Sequence, residues 1–484
     1  MQNEHFDVLI VGAGISGVSA AYHLQTRCPK KTFAILEARD RLGGTWDLFR
    51  YPGIRSDSDM YTLGFAFRPW MGKKAIADGA SILSYVRDTA ETYGIDKKIR
   101  YGHEVIRARW SSPDARWTLD VRDKKTGETK TMTCSFVFAC AGYYDYGRGH
   151  TPDFEGVDSF KGRVVHPQFW TEDIDYSGKR VVVIGSGATA VTLVPALASK
   201  AAHVTMLQRS PTYVVSLPER DKIANVMKEL LPAGMAYDVT RWKNVLLGMA
   251  FYNYCKRFPE RARSLIVGQA KHRLRGSVDV HPHFSPTYGP WDQRLCLVPD
   301  SDLFIALREK RASVVTDHID RFTEKGLRLK SGQELDADIV VTATGLKIKF
   351  MGGIAVEVDG KQMPPSAIMT YKGMMGSDIP NLAIALGYTN ASWTLKVDLT
   401  AAFVCRILNH MDEHGFTSVQ PERDPNMAEV PAIDLQSGYF LRAVDELPRQ
   451  GVKAPWRLYQ NYALDTLSLR HSKIEDGVLQ FKRN

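Results

Sequence analysis

Cysteine is scarce in this chain of 484 residues. There are six (Cys28, Cys134, Cys140, Cys255, Cys296 and Cys405), with no C-x-x-C pair and no metal-like spacing. That excludes a disulfide-dense secreted scaffold, a zinc module and a dithiol reductase, and a reduced, cytoplasmic chain with no metal is expected. Long apolar runs are missing too. The uncharged stretch Val181 to Ser199 contains Gly185, Gly187 and Pro195 among Ser and Thr. It reads as a buried strand, a tight turn and a helix start, not as a membrane span. Mean hydropathy is -0.24. Met1 to His5 is polar and runs straight into an apolar strand, so no secretory signal is expected. What remains is ordinary globular composition, 44% hydrophobic and 24% charged, at about three domains' length.

Acid is short relative to base, with 54 Asp and Glu against 63 Lys and Arg and a net charge of +9. The imbalance concentrates between Glu219 and Gly276, where twelve basic residues face five acidic ones. Solvated helix faces, steering of an anionic cofactor and weak contact with an acidic membrane surface all fit this pattern. No nucleic-acid motif accompanies the charge, and no nucleic-acid partner is expected.

The glycine patterns are more specific. Phe6 to Gly17 is an apolar strand running into G-x-G-x-x-G, with Gly12, Gly14 and Gly17, then a helical stretch. Gly12 suits the tight turn, Gly14 a close approach of backbone to a pyrophosphate, and Gly17 the packing of helix on strand. The second strand ends in Glu37, a carboxylate placed to accept from a ribose diol. The pattern recurs with Gly185, Gly187, Thr189 and Ala190, but the following strand ends in Gln208-Arg209-Ser210. A guanidinium there suits a 2′-phosphate. The first site therefore fits FAD or NAD, and the second NADP.

Phe136 to Gly142 and Ile339 to Gly345 are apolar strands ending in small residues, each read as closing one nucleotide-binding half. The predicted architecture is α/β, with two Rossmann-like domains and the second inserted into the first. Residues 1–141 and 346–484 are assigned to the first domain, 142–176 to a linker, and 177–214 and 291–345 to the second. Residues 215–290 are read as a small helical insertion between the second site's helix and strand layers. Apolar spacing in Asp221 to Leu231 and Val239 to Leu265 carries that reading.

Two longer motifs carry a family resemblance. Phe160, Gly162, His166 and Trp170 match F-x-G-x-x-x-H-x-x-x-W, and Gly44 to Asp57 is similar to G-x-W-x-x-x-x-Y-P-G-x-x-x-D. With both glycine turns in order, the whole chain resembles the type I Baeyer–Villiger flavin monooxygenases. The resemblance implies FAD, NADPH and O2, activation of oxygen as a peroxide at the flavin C4a, and insertion of one oxygen beside a ketone carbonyl. Oxidation of sulfides or thiocarbonyls is implied as a second activity. A flavin N- or S-monooxygenase is the alternative, and Trp170 and Asp57 argue against it. The resemblance makes Arg294 the catalytic cation and Asp57 its partner, and adds Gly44, Thr45 and Trp46 to the cofactor contacts. Gln293 stands where many members carry Lys. His166 and Trp170 are expected to act in a hinge or in hydrogen bonding, not in the chemistry. Asn390 or Ser392 is expected to cap the helix that follows. By resemblance that helix N-terminus points at the flavin, while Trp393 reads equally well as core. The substrate pocket is assigned to the helical insertion and its flanking loops.

Overall fold

The computed structural model describes residues 4–433 and 435–483. Two large sheets dominate it, the first mixed and the second wholly parallel. In the first, strand His5–Val11 lies between Phe33–Glu37 and Thr129–Ala139, parallel to both, and Ile99–Tyr101 and Leu382–Ile384 extend the sheet in the same sense. An antiparallel meander, His103–Ser111 and Arg116–Asp123, continues from Thr129–Ala139, and Ala355–Val358 joins its far edge. The late segment of the chain thus returns to the sheet that the N-terminus begins. The second sheet has five parallel strands in the order Ala312–Thr316, His203–Gln208, Arg180–Ile184, Ile339–Thr342 and Arg163–Val165. Strands such as Val8 to Val11 and Val181 to Ile184 are apolar without alternation because both faces are covered.

Val181 to Ser199 resolves into the strand, turn and helix expected of it, with helix Ala188–Leu197 enclosing Pro195. The insertion is helical over Lys222–Leu230, Ala233–Arg257 and Pro259–Leu274. Within Val239 to Leu265 the helix breaks at Phe258, and Pro259 starts a new one, since proline suits a first turn and not an interior. Nor is the insertion sandwiched within the second domain. Tyr237 and Val245 belong to the first domain's core, while Ala270 and Leu274 belong to the second's. The crossings between domains lie side by side, as Tyr144–Gly149 pairs antiparallel with Leu346–Ile348.

Candidate cofactor and oxygenation site

A cavity of about 1260 Å³ runs between the two glycine turns. The turns are built alike. Gly12 has φ +101°, and a Cβ there would stand 2.7 Å from the Cys140 carbonyl oxygen. Gly185 has φ +138°, with its Cβ position 2.4 Å from the Ala343 oxygen. In each half, then, the strand ending in small residues abuts the glycine turn. Gly17 and Ala190 are absent from the cavity wall, Ala190 being fully buried, and a Cβ on Gly17 would lie 1.9 Å from the Gly12 oxygen. They seat the helices beneath the turns.

Gly14 and Gly187 do line the cavity. A Cβ on Gly187 would meet nothing within 4 Å, and one on Gly14 would reach only Gly44 at 3.6 Å. Each also starts a helix whose first N–H groups have no intrahelical partner. This bare backbone at a helix start fits a pyrophosphate at both turns.

At the end of Phe33–Glu37, Glu37 accepts from the Ala13 N–H at 2.7 Å and from the Arg39 N–H at 2.9 Å. Burial outweighs those hydrogen bonds and raises its carboxyl above the usual range. Gly44, Thr45 and Trp46 follow on the wall, with Thr45 Oγ1 3.3 Å from the Tyr146 hydroxyl. Arg39 and Tyr146 were missed from the sequence. Arg39 reaches Asp47 at 2.6 Å and Tyr146 arrives from the first crossing strand, so only tertiary contact shows them.

Around the second turn, Thr189, Arg209 and Ser210 line the cavity. Arg209 is exposed and has no ion-pair partner among the described residues, which leaves its charge available to an anion. The neighbouring Gln208 is buried and turned away, bonding the His283 carbonyl at 2.8 Å and Thr316 at 2.9 Å.

Between the turns, Arg294 Nη1 donates to Asp57 Oδ2 at 3.2 Å. The Arg294 side chain is 34% exposed, and it lines the cavity. Burial works against its charge, but Asp57 and the surrounding Tyr439, Tyr143 and Tyr144 outweigh it, so Arg294 holds its proton more firmly than usual. Burial raises the hydroxyls of Tyr144 and Tyr439, which stay neutral. Cys296 follows Arg294 by two residues, and burial pushes its thiol up to about 12, so it is no nucleophile. The arrangement is a fixed cation, neutral hydroxyls and apolar walls, able to stabilise an oxyanion. Tyr439, from the short helix Gly438–Leu441, carried no sequence signal.

Trp393 lines the cavity, and its indole N–H donates to Ser16 Oγ at 2.8 Å, joining helix Trp393–His414 to the first glycine-turn helix. Asn390 does not cap the helix. It lies off the wall, with its amide on the Gln460 carbonyl at 2.9 Å. Ser392 occupies the N-cap position, but its hydroxyl pairs with Thr62 at 2.7 Å and does not cap the helix.

The fingerprint residues also stand off the wall. Phe160 and Trp170 are core, and a Cβ on Gly162 would lie 2.5 Å from the Asp338 oxygen. His166 Nε2 is 3.2 Å from the Gly345 carbonyl, while Nδ1 accepts from the Gln168 N–H. Burial lowers its pKa, favouring the neutral ring whose bare Nδ1 accepts from Gln168, and outweighs the Gly345 contact, which favours the charged form. It ties the linker to the second crossing. No residue of the helical insertion lines the cavity, in contrast to the pocket expected there; of its flanks, Thr212 and Gln293 to Leu297 do. A spacing that the sequence reading passed over, His410, Glu413 and His414, brings three donor atoms within 4.8 Å on an exposed turn.

Known proteins are similar to this chain. Residues 75–248 match a flavin-binding monooxygenase-like family model, and residues 10–70 an NAD(P)-binding Rossmann-like domain. The FAD-containing monooxygenase EthA of Mycobacterium tuberculosis is 57% identical over 99% of this chain and 98% of its own. The probable FAD-binding monooxygenase AlmA of Acinetobacter baylyi is 48% identical over 99% and 97%. An oxidized steroid monooxygenase bound to NADP aligns with a TM-score of 0.76 at 22% identity, covering 99% of this chain and 100% of that one.

Proposed function

The chain belongs to the FAD-containing monooxygenases of Baeyer–Villiger-like type, EthA among its relatives, and from that premise we propose that it inserts one atom of O2 beside a ketone carbonyl. One oxygen atom enters the ester or lactone, the other leaves as water, and NADPH supplies the two electrons. Sulfides and thiocarbonyls, whose sulfur is a nucleophile where the ketone carbonyl carbon is an electrophile, are its second substrate class. The reading is carried by Arg294, held by Asp57 in the cavity between the two turns.

The turn at Gly12 and Gly14 with Glu37 would hold FAD, and the turn at Gly185 and Gly187 with Arg209 and Ser210 would hold NADPH. FAD, when bound, relays electron pairs from NADPH to O2. The protein's part is to position and to stabilise. Arg294 presents a permanent charge to the oxyanion that forms on the ketone, and Asp57 aims it. Tyr143, Tyr144 and Tyr439 narrow the wall around it and limit water.

Anaerobic addition of NADPH, then air and a panel of ketones and sulfides, tests the reading through products identified per NADPH consumed. Sulfoxides without any ester would leave the narrower N- and S-oxygenating activity. Arg209→Ala should weaken NADPH roughly 10- to 100-fold, the worth of one charge-assisted contact, with NADH nearly unchanged. Equal losses for both nucleotides would remove Arg209 from the 2′-phosphate.

A further inference from the structure

The helical insertion takes no part in the cavity, yet its surface is inverted. On helix Lys222–Leu230 the buried residue is Ala224, while Ile223, Val226 and Leu230 face solvent at helical spacing, Leu230 being 76% exposed. Helix Ala233–Arg257 repeats this with exposed Val239, Trp242 and Leu246. The Lys243–Asp221 ion pair at 2.5 Å holds these two helices together. The Trp242 ring lies 5.5 Å from that of Tyr462, on helix Tyr462–Arg470, where Leu464 and Leu467 are also exposed. Apolar stripes turned outward on three adjoining helices form an interaction face, since scattered surface residues would not align this way.

Charge selects the occupant. Exposed Lys73, beside Asn225, flanks this face together with exposed Arg220 and Lys222 of the most basic stretch of the chain, against exposed Glu229 and Asp238. A second copy would set like charges against each other, whereas a bilayer with anionic headgroups offers negative charge above an apolar interior. Among the described residues no helix is long and apolar enough to cross a membrane, so the helices would lie in its plane. We propose that the insertion and helix Tyr462–Arg470 dock this protein on anionic phospholipid bilayers.

Cosedimentation of the full-length, FAD-loaded protein with phosphatidylcholine vesicles, with and without phosphatidylglycerol, tests this. Binding is expected on the phosphatidylglycerol vesicles and should weaken with added salt. The triple variant Ile223→Gln, Val226→Gln, Leu230→Gln should partition roughly tenfold or more weakly while oxidising NADPH as before. Leu464→Gln with Leu467→Gln gives the same readout from a different helix should the triple variant fold poorly. Undiminished binding by both variants, or no binding by the unaltered protein, overturns the proposal. So does a dimer in light scattering that the triple variant disperses, which would assign the face to a second copy.

Discussion

Arg294→Ala is expected to cut oxygen transfer to a ketone by about 100- to 1000-fold while FAD stays bound. One preorganised electrostatic contact to a developing oxyanion is worth about 2.7–4 kcal/mol. Arg294 lines the cavity, and its pairing with Asp57 at 3.2 Å fixes its direction. FAD retention follows because Gly12, Gly14 and Glu37 lie on other elements that this substitution does not touch. NADPH should still bind through Arg209, with hydride transfer slowed where the nicotinamide loses its alignment. Asp57→Ala should be the milder lesion, since it leaves the guanidinium present but unaimed. The measurement is ester or lactone formed per NADPH oxidised. Near-normal yield in Arg294→Ala would return the pair to a purely structural role.

Asp398→Ala should be the most damaging change to stability, at about 3–5 kcal/mol. Asp398 is buried on helix Trp393–His414, accepting from Ser19 Oγ at 2.5 Å and from the Ala66 N–H at 3.0 Å, with Arg241 Nη2 at 3.7 Å. Arg241 comes from the insertion and is itself buried, donating to the Tyr61 carbonyl at 2.7 Å and the Gly64 carbonyl at 2.8 Å. Without Asp398 a cation is left in the core without its counter-charge. Burial opposes the Asp398 charge, but His23, Arg241 and Ser19 outweigh it and hold the carboxyl below its usual value. Its contribution is therefore present above the unfolded carboxylate pKa of about 4 and fades as pH falls through the lower folded value. Urea midpoints should separate widely near neutral pH and converge in acid. A constant gap across that range would sink the charge argument.

The glycine turns, Glu37 and Arg209 were legible because their signals are local: residues within one strand, turn and helix start read as a unit. The contact between Arg294 and Asp57 came from resemblance, since nothing in either segment alone announces the other. Asn390 as a cap was misread because capping chemistry near a helix start looks the same whether the amide turns to the helix or, as here, to Gln460. Arg39, Tyr146 and Tyr439 reach the wall through folding at a distance. The insertion's bridge to the first domain was hidden in the same way, because Arg241 reads as one more base in a basic helix until Asp398 is found beside it.

The crossings between the two sheets also bear on modularity. Thr344 Oγ1 donates to the His150 carbonyl at 2.6 Å, and the His150 N–H to the Gly345 carbonyl at 3.1 Å. The inserted domain therefore enters and leaves at one point, its two ends as close as neighbours in a hairpin. A block bounded there can be excised and replaced by a homologous block without stretching the acceptor chain. The same closeness lets its own ends be joined by a few residues, and permutation elsewhere would keep the sheet order. Such a graft must rebuild the clamp of Arg241 on the first domain as well as the Arg294–Asp57 pair, which marks positions 241 and 294 as residues to match between donor and host.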